Sequence, residues 1–485
     1  MEKIAIIGMG ISGMAVALAY AKEVDTRKLE IDCYDDEESF GRGFPFRKDS
    51  DQLLINLKKD KISYDYENLE DFKNWLDDQA YSFEEYVPRH IFGKYTQARL
   101  SDTIKEINAN EKFCSVKSLE WIEKKGQWKL ETHLGNIKYY DRVHLCCGEL
   151  PQMDVFDLAQ HEKYINQIYP CIKKLIPIRQ NNSVTIIGTS LAAVDVARYL
   201  LVEKDIKKLY IFSRSNIIPS LRLEQRDIDI NIMTYDKCLD IIESGNGVID
   251  FKRFDSLFNQ ELESHGLDFN YLMDKYTPGI KSIIKSMDEE DDLGKIQTIL
   301  SKMTIIFNRV WLSFTSSDKI KFNDKYEDFI QAFGNPIPMP TGKILLEAIN
   351  SNRLTLLHDV SDIVFNKEEK VFQVIGESKG SKSVLAKSDF VCNATGLDNS
   401  LKTLSRENTL IGKMLNYRYL QVDDSGGITV LPQELQVISP KLGVFNNLLA
   451  HGVLISGVQL KNNSTSVIQE NAHDSIRGLY KDKFN

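Results

Sequence analysis

The first forty residues constrain the fold of this chain more than any other stretch. A strand-like run from Lys3 to Ile7 leads into Gly8-Met9-Gly10-Ile11-Ser12-Gly13, then a helical run from Met14 to Lys22, then a second strand from Leu29 to Tyr34. This order predicts one complete βαβ unit, and the turn before its helix has a specific steric logic. Gly8 permits the tight bend, Gly10 lets the backbone approach a pyrophosphate, and Gly13 lets the helix pack closely on the strand. Phosphates are expected on the helix N-terminus beside Ser12, where unpaired backbone N–H groups point. The second strand runs into Asp35 and Asp36, about twenty residues beyond Gly13, where a carboxylate can accept hydrogen bonds from the adenosine ribose hydroxyls.

A second unit of the same kind starts at Val184 to Ile187. It continues through Gly188-Thr189-Ser190-Leu191-Ala192-Ala193, a helical run from Val194 to Val202, and a strand from Lys208 to Phe212. Ser190 stands where the second glycine would be and Ala193 where the third would be. The segment is therefore either a nicotinamide site or a nucleotide-free copy of the fold. Its second strand ends in Ser213-Arg214-Ser215 with no acid. That removes the acceptor for an NAD ribose hydroxyl and supplies a guanidinium for a 2′-phosphate, so NADPH is the expected dinucleotide. The alternative for Arg214 is a solvated surface arginine.

At 485 residues the chain has room for two or three domains, and its net charge of -9 comes with Lys and Arg spread along the sequence. No basic footprint for nucleic acid or an anionic membrane results. Seven cysteines, among them Cys33, Cys171 and Cys392, lie scattered in apolar runs without C-x-x-C spacing, a pattern of reduced thiols with no expected metal site. The apolar run Ile4 to Ala21 has the look of a signal peptide, but it is also the strand, glycine turn and helix described above. No other stretch approaches the roughly 18 consecutive apolar residues of a membrane span, and a cytoplasmic location is expected.

Between Asn216 and about Pro340 the pattern turns helical with mixed charge, which predicts an inserted helical subdomain. The acidic run Asp288 to Asp292 reads as a solvated loop or helix end. Beyond the proline-rich segment Asn335 to Pro340, a helix is expected over Lys343 to Asn350. Strands are expected near Leu354 to Leu357, Ile363 to Phe365 and Val371 to Ile375.

Two further segments, Asp141 to Gly148 and Asp389 to Gly396, are apolar strands that end in a glycine turn, the second reading Cys392-Asn393-Ala394-Thr395-Gly396. They resemble the segments by which two-dinucleotide flavoproteins return to the FAD domain, which places Gly148, Thr395 and Gly396 at an FAD site. Together with Ser39-Phe40-Gly41-Arg42-Gly43-Phe44, Leu53 to Asn56 and Tyr86 to Tyr95, the chain resembles the bacterial FAD/NAD(P)-binding protein family related to class B flavin monooxygenases. The resemblance is strongest over residues 1–100 and 180–220.

The resemblance implies an α/β fold of two Rossmann-like dinucleotide-binding domains, the second inserted in the first, with a helical insert. The expected limits are an FAD-binding domain over 1–178 and 381–485, and an NAD(P)-binding-like domain over 179–380 with the insert at about 216–340. It also implies that Gly41, Arg42 and Asn56 lie near the flavin, and that Val116, in an expected strand Phe113 to Lys117, meets the adenine through its backbone. Structural roles stand beside these: Asn56 can cap a turn, Arg89 can pair with a carboxylate, and Cys146-Cys147 can be small core residues.

The activity the resemblance implies is NADPH reduction of FAD followed by oxygen activation and hydroxylation of a small molecule. The alternatives are an FAD-dependent dehydrogenase or reductase with another acceptor, or a flavin-binding scaffold or sensor with a degenerate nicotinamide site. A disulfide reductase is disfavoured, because no pair of spaced cysteines lies near the first flavin loop. The histidines form no Ser/His/Asp or metal arrangement, so the sequence singles out no catalytic acid or base.

Overall fold

The computed structural model describes residues 1–148, 150–276, 279–288, 290–378, 380–396, 401, 404, 408–424, 426–458, 460 and 464–481. Strand β1 (Glu2–Ile7) is buried from Ile4 to Ile7 and pairs in parallel with β2 (Leu29–Asp35) on one side and with Arg142–Leu145 on the other. The part of a strand flanked on both sides and covered on both faces has to be continuously apolar, as Ile4 to Ile7 are. Helix α1 (Ile11–Glu23) supplies the crossover. It starts at once from the Gly10 cap and buries every residue from Gly13 to Tyr20, partly against the helix Thr465–Tyr480.

The chain folds into two compact units, residues 1–48, 58–150 and 398–485 in one and 49–57 and 151–397 in the other. The first unit holds a six-stranded sheet in the order Gln436–Ser439, Gly443–Ala450, Arg142–Leu145, β1, β2 and Asn110–Phe113. A separate antiparallel sheet is formed by Val116–Ile122, Gln127–Thr132 and Ile137–Tyr140. The expected strand Phe113 to Lys117 is thus broken at Cys114-Ser115: Phe113 pairs with Asp35 in the large sheet and Val116 with Thr132 in the small one.

The second unit has a five-stranded parallel sheet in the order Leu354–Leu356, Lys208–Phe212, Ser183–Ile187, Phe390–Asn393 and Tyr164–Ile165. An antiparallel sheet of Val360–Asn366, Val371–Ser378 and Ser381–Ser388 accompanies it. Between these strands runs a series of helices, from Tyr235–Ser244 to Ser316–Phe333, packed on an aromatic core in which Phe254, Phe322 and Tyr326 meet at ring separations of 5.3 to 5.8 Å. In the acidic run Asp288 ends one helix and Glu290 to Asp292 begin the next, as the helix-end reading expects, with Asp291 paired to Lys295 and Arg226; Glu289 lies outside the described residues.

These limits differ from those the sequence suggests, and the sheet pairings explain why. The strand Phe390–Asn393 lies beside Ser183–Ile187, Phe390 opposite Val184, so the segment that ends in Gly396 belongs to the second unit. Residues 151–178 join the same unit, since Cys171, Leu175 and Ile178 are wholly buried in its core. The short excursion 49–57 does so as well. Leu53 enters that core, and the Asp49 carboxylate accepts the backbone N–H groups of Cys171 and Ile172 at 2.8 and 3.0 Å.

Candidate cofactor sites

In the first unit the glycine turn at the C-terminal end of β1 is under tight steric control. Gly8 has φ +94°, donates its N–H to the Tyr34 carbonyl at 2.8 Å, and a Cβ there would lie 2.7 Å from the Cys146 carbonyl oxygen. A Cβ on Gly13 would lie 2.0 Å from the Gly8 carbonyl oxygen, so a side chain at 13 is incompatible with this helix position. Gly10 approaches a second loop: its Cβ would be 3.1 Å from the Gly43 Cα. Gly41 and Gly43 both have positive φ, and Gly41 donates to the Met9 carbonyl at 3.0 Å, which fastens the loop 41–43 onto the turn.

Polar groups surround this backbone cradle. The Asp35 carboxylate accepts the N–H groups of Met9 at 2.6 Å and of Asp36 at 2.8 Å. Its burial outweighs these bonds and pushes the carboxyl up to about 6. Asp36 is partly buried too, but the Ser39 hydroxyl at 2.6 Å and backbone N–H, with the Arg47 charge, hold its carboxyl below the usual range. Arg42 donates from Nη2 to Gln97 Oε1 at 2.7 Å. Its Nε is buried and has no hydrogen-bond partner among the described residues.

The strand that returns to this site differs from the one expected. Gly443–Ala450 runs parallel to Arg142–Leu145, Ala450 opposite Leu145, and His451 donates its N–H to the Leu145 carbonyl at 2.9 Å. Gly452 follows at φ +64°, and its Cβ would be 2.1 Å from Ser12 Oγ. His451 and Gly452 thus take the place that the resemblance gave to Thr395 and Gly396. The signal was present in the sequence, because Leu448-Leu449-Ala450-His451-Gly452 is also an apolar run ending in glycine. Gly148 stays with the first unit, where a Cβ would touch only Val453.

The second unit repeats the turn in altered form. Gly188 has φ +120°, and its Cβ would be 2.4 Å from the Ala394 carbonyl oxygen, the counterpart of the Gly8 contact with Cys146. Ala193 is fully buried where Gly13 stands in the first unit, so this helix, Leu191–Val202, accommodates a methyl group there. Ser190 is its exposed N-cap residue, and its hydroxyl makes no capping hydrogen bond. Ser213 is committed to the local turn: its hydroxyl pairs with Thr189 Oγ1 at 2.7 Å and accepts the Asn216 N–H at 3.0 Å. Arg214 is 90 % exposed, with the Glu327 carboxylate at 3.9 Å. Thr189, inside the glycine turn, holds this end of the strand, its hydroxyl meeting both Ser213 Oγ and the Ile217 carbonyl at 2.7 Å.

Thr395 hydrogen-bonds to Asn393 Oδ1 at 2.7 Å in this unit, and Gly396 follows at φ +97°. Asn56 also lies here, its backbone carbonyl accepting from Arg222 Nε. Among the described residues no group of three or more His, Cys, Asp or Glu side chains could hold a metal ion, and no helix is long and apolar enough to cross a membrane.

Residues 5–150 match the model of an FAD-NAD(P)-binding family. No curated protein matches the chain. Among solved structures the chain is similar to L-lysine 6-monooxygenase from Pseudomonas syringae, at 13% identity and TM-score 0.60, covering 99% of both chains. It is also similar to the FAD-bound cadaverine monooxygenase of desferrioxamine biosynthesis from Erwinia amylovora, at 9% identity and TM-score 0.55, over 99% of this chain and 94% of that one. A third is the ornithine N-hydroxylase of Kutzneria sp. 744 with reduced FAD, NADP+ and L-ornithine, at 11% identity and TM-score 0.53, over 99% of both chains. Residues 5–150 are thus similar to an FAD-NAD(P)-binding domain, and the chain shares the Rossmann-type fold of these two-domain flavoproteins.

Proposed function

We propose that the protein is an FAD-dependent monooxygenase, reduced by NADPH, that hydroxylates a small amine or amino acid. The observation that carries the FAD assignment is the cradle of the first unit, where Gly8 and Gly13 leave no room for side chains, a Cβ on Gly10 would crowd Gly43, and the buried Arg42 Nε lacks a partner among the described residues. A pyrophosphate fits both features: it needs close backbone approach, and it supplies the acceptor that this guanidinium lacks. Ser12 and the N-terminus of α1 would hold the phosphates, and Asp35 with Asp36 the adenosine ribose. Gly41 and Arg42 would close the seat from the loop side, and the Gly148 and Gly452 turns from the returning strands. FAD, when bound, supplies transfer of reducing equivalents from a nicotinamide to oxygen. The protein's part is to seat it and keep its surroundings dry.

Gly188, Ser190 and Ala193 would form the phosphate turn for NADPH, with Arg214 as the group that reads its 2′-phosphate. Ser213 serves by shaping the strand end, since its hydroxyl is already engaged. The carry-over of Asn56 to the flavin and of Val116 to the adenine rests on resemblance alone. A disulfide-reductase chemistry is disfavoured by the thiols themselves. Burial raises Cys146 well above the ordinary thiol value and pushes Cys147 up to about 12, so neither is a thiolate near neutrality.

The amine class is taken from the structural neighbours, whose names give lysine, ornithine and cadaverine as substrates. The test is to incubate the FAD-loaded protein with NADPH, oxygen and a panel of diamines and basic amino acids, and to analyse the products by mass. One amine gaining a single oxygen atom, with matching NADPH consumption, is the expected result. NADPH oxidation that yields only hydrogen peroxide with every amine would remove the amine assignment.

A further inference from the structure

The loop that closes the glycine cradle is itself gripped by the helix Arg89–Glu106. Thr96 and Gln97 lie three and four residues past Gly93, so all three share one face of that helix. A Cβ on Gly93 would lie 2.0 Å from the Phe46 carbonyl oxygen, and the Thr96 hydroxyl donates to the Gly41 carbonyl at 2.7 Å. Gln97 makes two contacts: its Oε1 accepts from Arg42 Nη2 at 2.7 Å, and its Nε2 donates to the Phe40 carbonyl at 3.2 Å. One amide therefore holds both neighbours of Gly41, the residue whose N–H is tied to Met9 in the glycine turn.

The chemistry of the contact fixes which residue can make it. A guanidinium only donates and a backbone carbonyl only accepts, so the side chain at 97 has to present an oxygen to Arg42 and an N–H to Phe40. A primary amide does both, whereas a carboxylate or an apolar side chain fails at one end or at both. Among the described residues Gln97 is the one hydrogen-bond partner of the half-buried Arg42 guanidinium, and no carboxylate pairs with it. A cation drawn out of water without a counter-charge is costly, so this arrangement is complete only when an anion arrives. Gln97 takes one of the five N–H groups and leaves the others, Nε–H among them, for that anion. An unheld guanidinium has to be immobilised at the moment of binding, and ordering a rotamer-rich side chain in that way costs roughly three- to tenfold in affinity.

We infer that Gln97 is a positioning residue for the cofactor seat: it holds the Arg42 guanidinium in place in the empty protein, ready for the pyrophosphate, without touching the cofactor itself. The inference rests on the FAD reading of the first unit and deepens it. It also gives Gly41 a second reason to be bare. A Cβ there would lie 2.8 Å from the Gln97 Cα, and this close approach of helix and loop is what lets one glutamine span Phe40 and Arg42.

The test is a double-mutant cycle on FAD binding to the full-length apoprotein, followed by flavin fluorescence, together with NMR of the arginine Nε–H groups in the absence of cofactor. Gln97→Leu should raise the FAD dissociation constant about three- to tenfold, and Arg42→Met about ten- to hundredfold, the worth of a charge-assisted hydrogen bond. Because Gln97 acts through Arg42, Gln97→Leu should cost less than about twofold once Arg42 is methionine. Thr96→Val loosens the same loop without touching the guanidinium, and should cost the same factor in either background. In the wild-type apoprotein the Arg42 Nε–H is expected to be as ordered as the backbone around it, and in Gln97→Leu to move freely. Gln97→Met replaces the leucine variant if that one does not fold. Equal costs of the Gln97 change with and without Arg42, or an Arg42 side chain already mobile in the wild-type apoprotein, would overturn the inference. A wild-type protein that binds no FAD would remove the flavin reading and the cofactor role with it, while the arginine resonances would still report whether Gln97 holds Arg42.

Discussion

Replacing Gly13 with alanine adds one methyl group, and the structure fixes what that methyl meets. Its carbon would lie 2.0 Å from the Gly8 carbonyl oxygen and 3.0 Å from the carbonyl carbon, both backbone atoms of the turn that would seat the phosphates. A relaxed carbon–oxygen contact is close to 3.3 Å, so helix and turn must separate by roughly 1.3 Å, and overpacking of this kind costs about 1–3 kcal/mol. The strain falls on the N–H groups that have to face the pyrophosphate. Gly13→Ala should therefore lower the thermal midpoint of the apoprotein by several degrees and abolish retention of FAD, measured as flavin absorbance per chain after purification. Ala193 provides the internal comparison, because the second unit already accepts a methyl at the matching position, and Ala193→Gly should leave flavin content alone. A Gly13→Ala protein that keeps wild-type stability and a full complement of flavin would refute the steric argument.

Arg214→Ala should weaken NADPH binding about ten- to hundredfold, the worth of a charge-assisted hydrogen bond, and leave NADH binding nearly unchanged. Equal losses for both, read from titrations of flavin reduction, would deny Arg214 the 2′-phosphate. FAD binding should depend on pH through Asp35, whose carboxyl burial pushes up to about 6. Ribose hydroxyls donate to the carboxylate form, so the dissociation constant should rise toward tenfold per unit as pH falls below about 6. Asp35→Asn should flatten that profile, and an unaltered slope would exclude Asp35 as its source. The buried imidazole of His451 predicts acid sensitivity. Its folded value of about 3 lies below the unfolded 6.5, so protons favour the unfolded chain and stability is lost as pH falls from about 6.5 toward 3. At pH 5 the loss from this one group is roughly 2 kcal/mol, and apoprotein melting temperatures that stay constant from pH 7 to 5 would contradict it.

The glycine turns were legible in the sequence because their chemistry is local. Gly13 is dictated by backbone five residues away, where a Cβ would meet the Gly8 carbonyl oxygen, and Gly8 by its own φ of +94° in the tight bend. Sheet partners are set by contacts far apart in sequence, and there the local pattern misleads. Asp389 to Gly396 and Leu448 to Gly452 both read as strands ending in glycine, yet only the second pairs with Arg142–Leu145. The excursion of residues 49–57 into the second unit was illegible for a similar reason: Asp49 finds its partners at Cys171 and Ile172, more than a hundred residues away. Ser213 shows a further limit, because its neighbours in sequence do not announce that Thr189 occupies its hydroxyl. Gln97 was hidden in the same way, since the residues it joins, Phe40 and Arg42, lie 57 and 55 positions before it.

The central claim, that this chain passes reducing equivalents from NADPH through FAD to oxygen, is tested most directly by an anaerobic titration of the FAD-loaded protein with NADPH, followed by admission of oxygen. The account predicts that the flavin absorbance near 450 nm bleaches with about one equivalent of NADPH, the two electrons that one flavin accepts, and returns when oxygen enters. A flavin that NADPH leaves oxidised, or one that is reduced but stays bleached in oxygen, would contradict it.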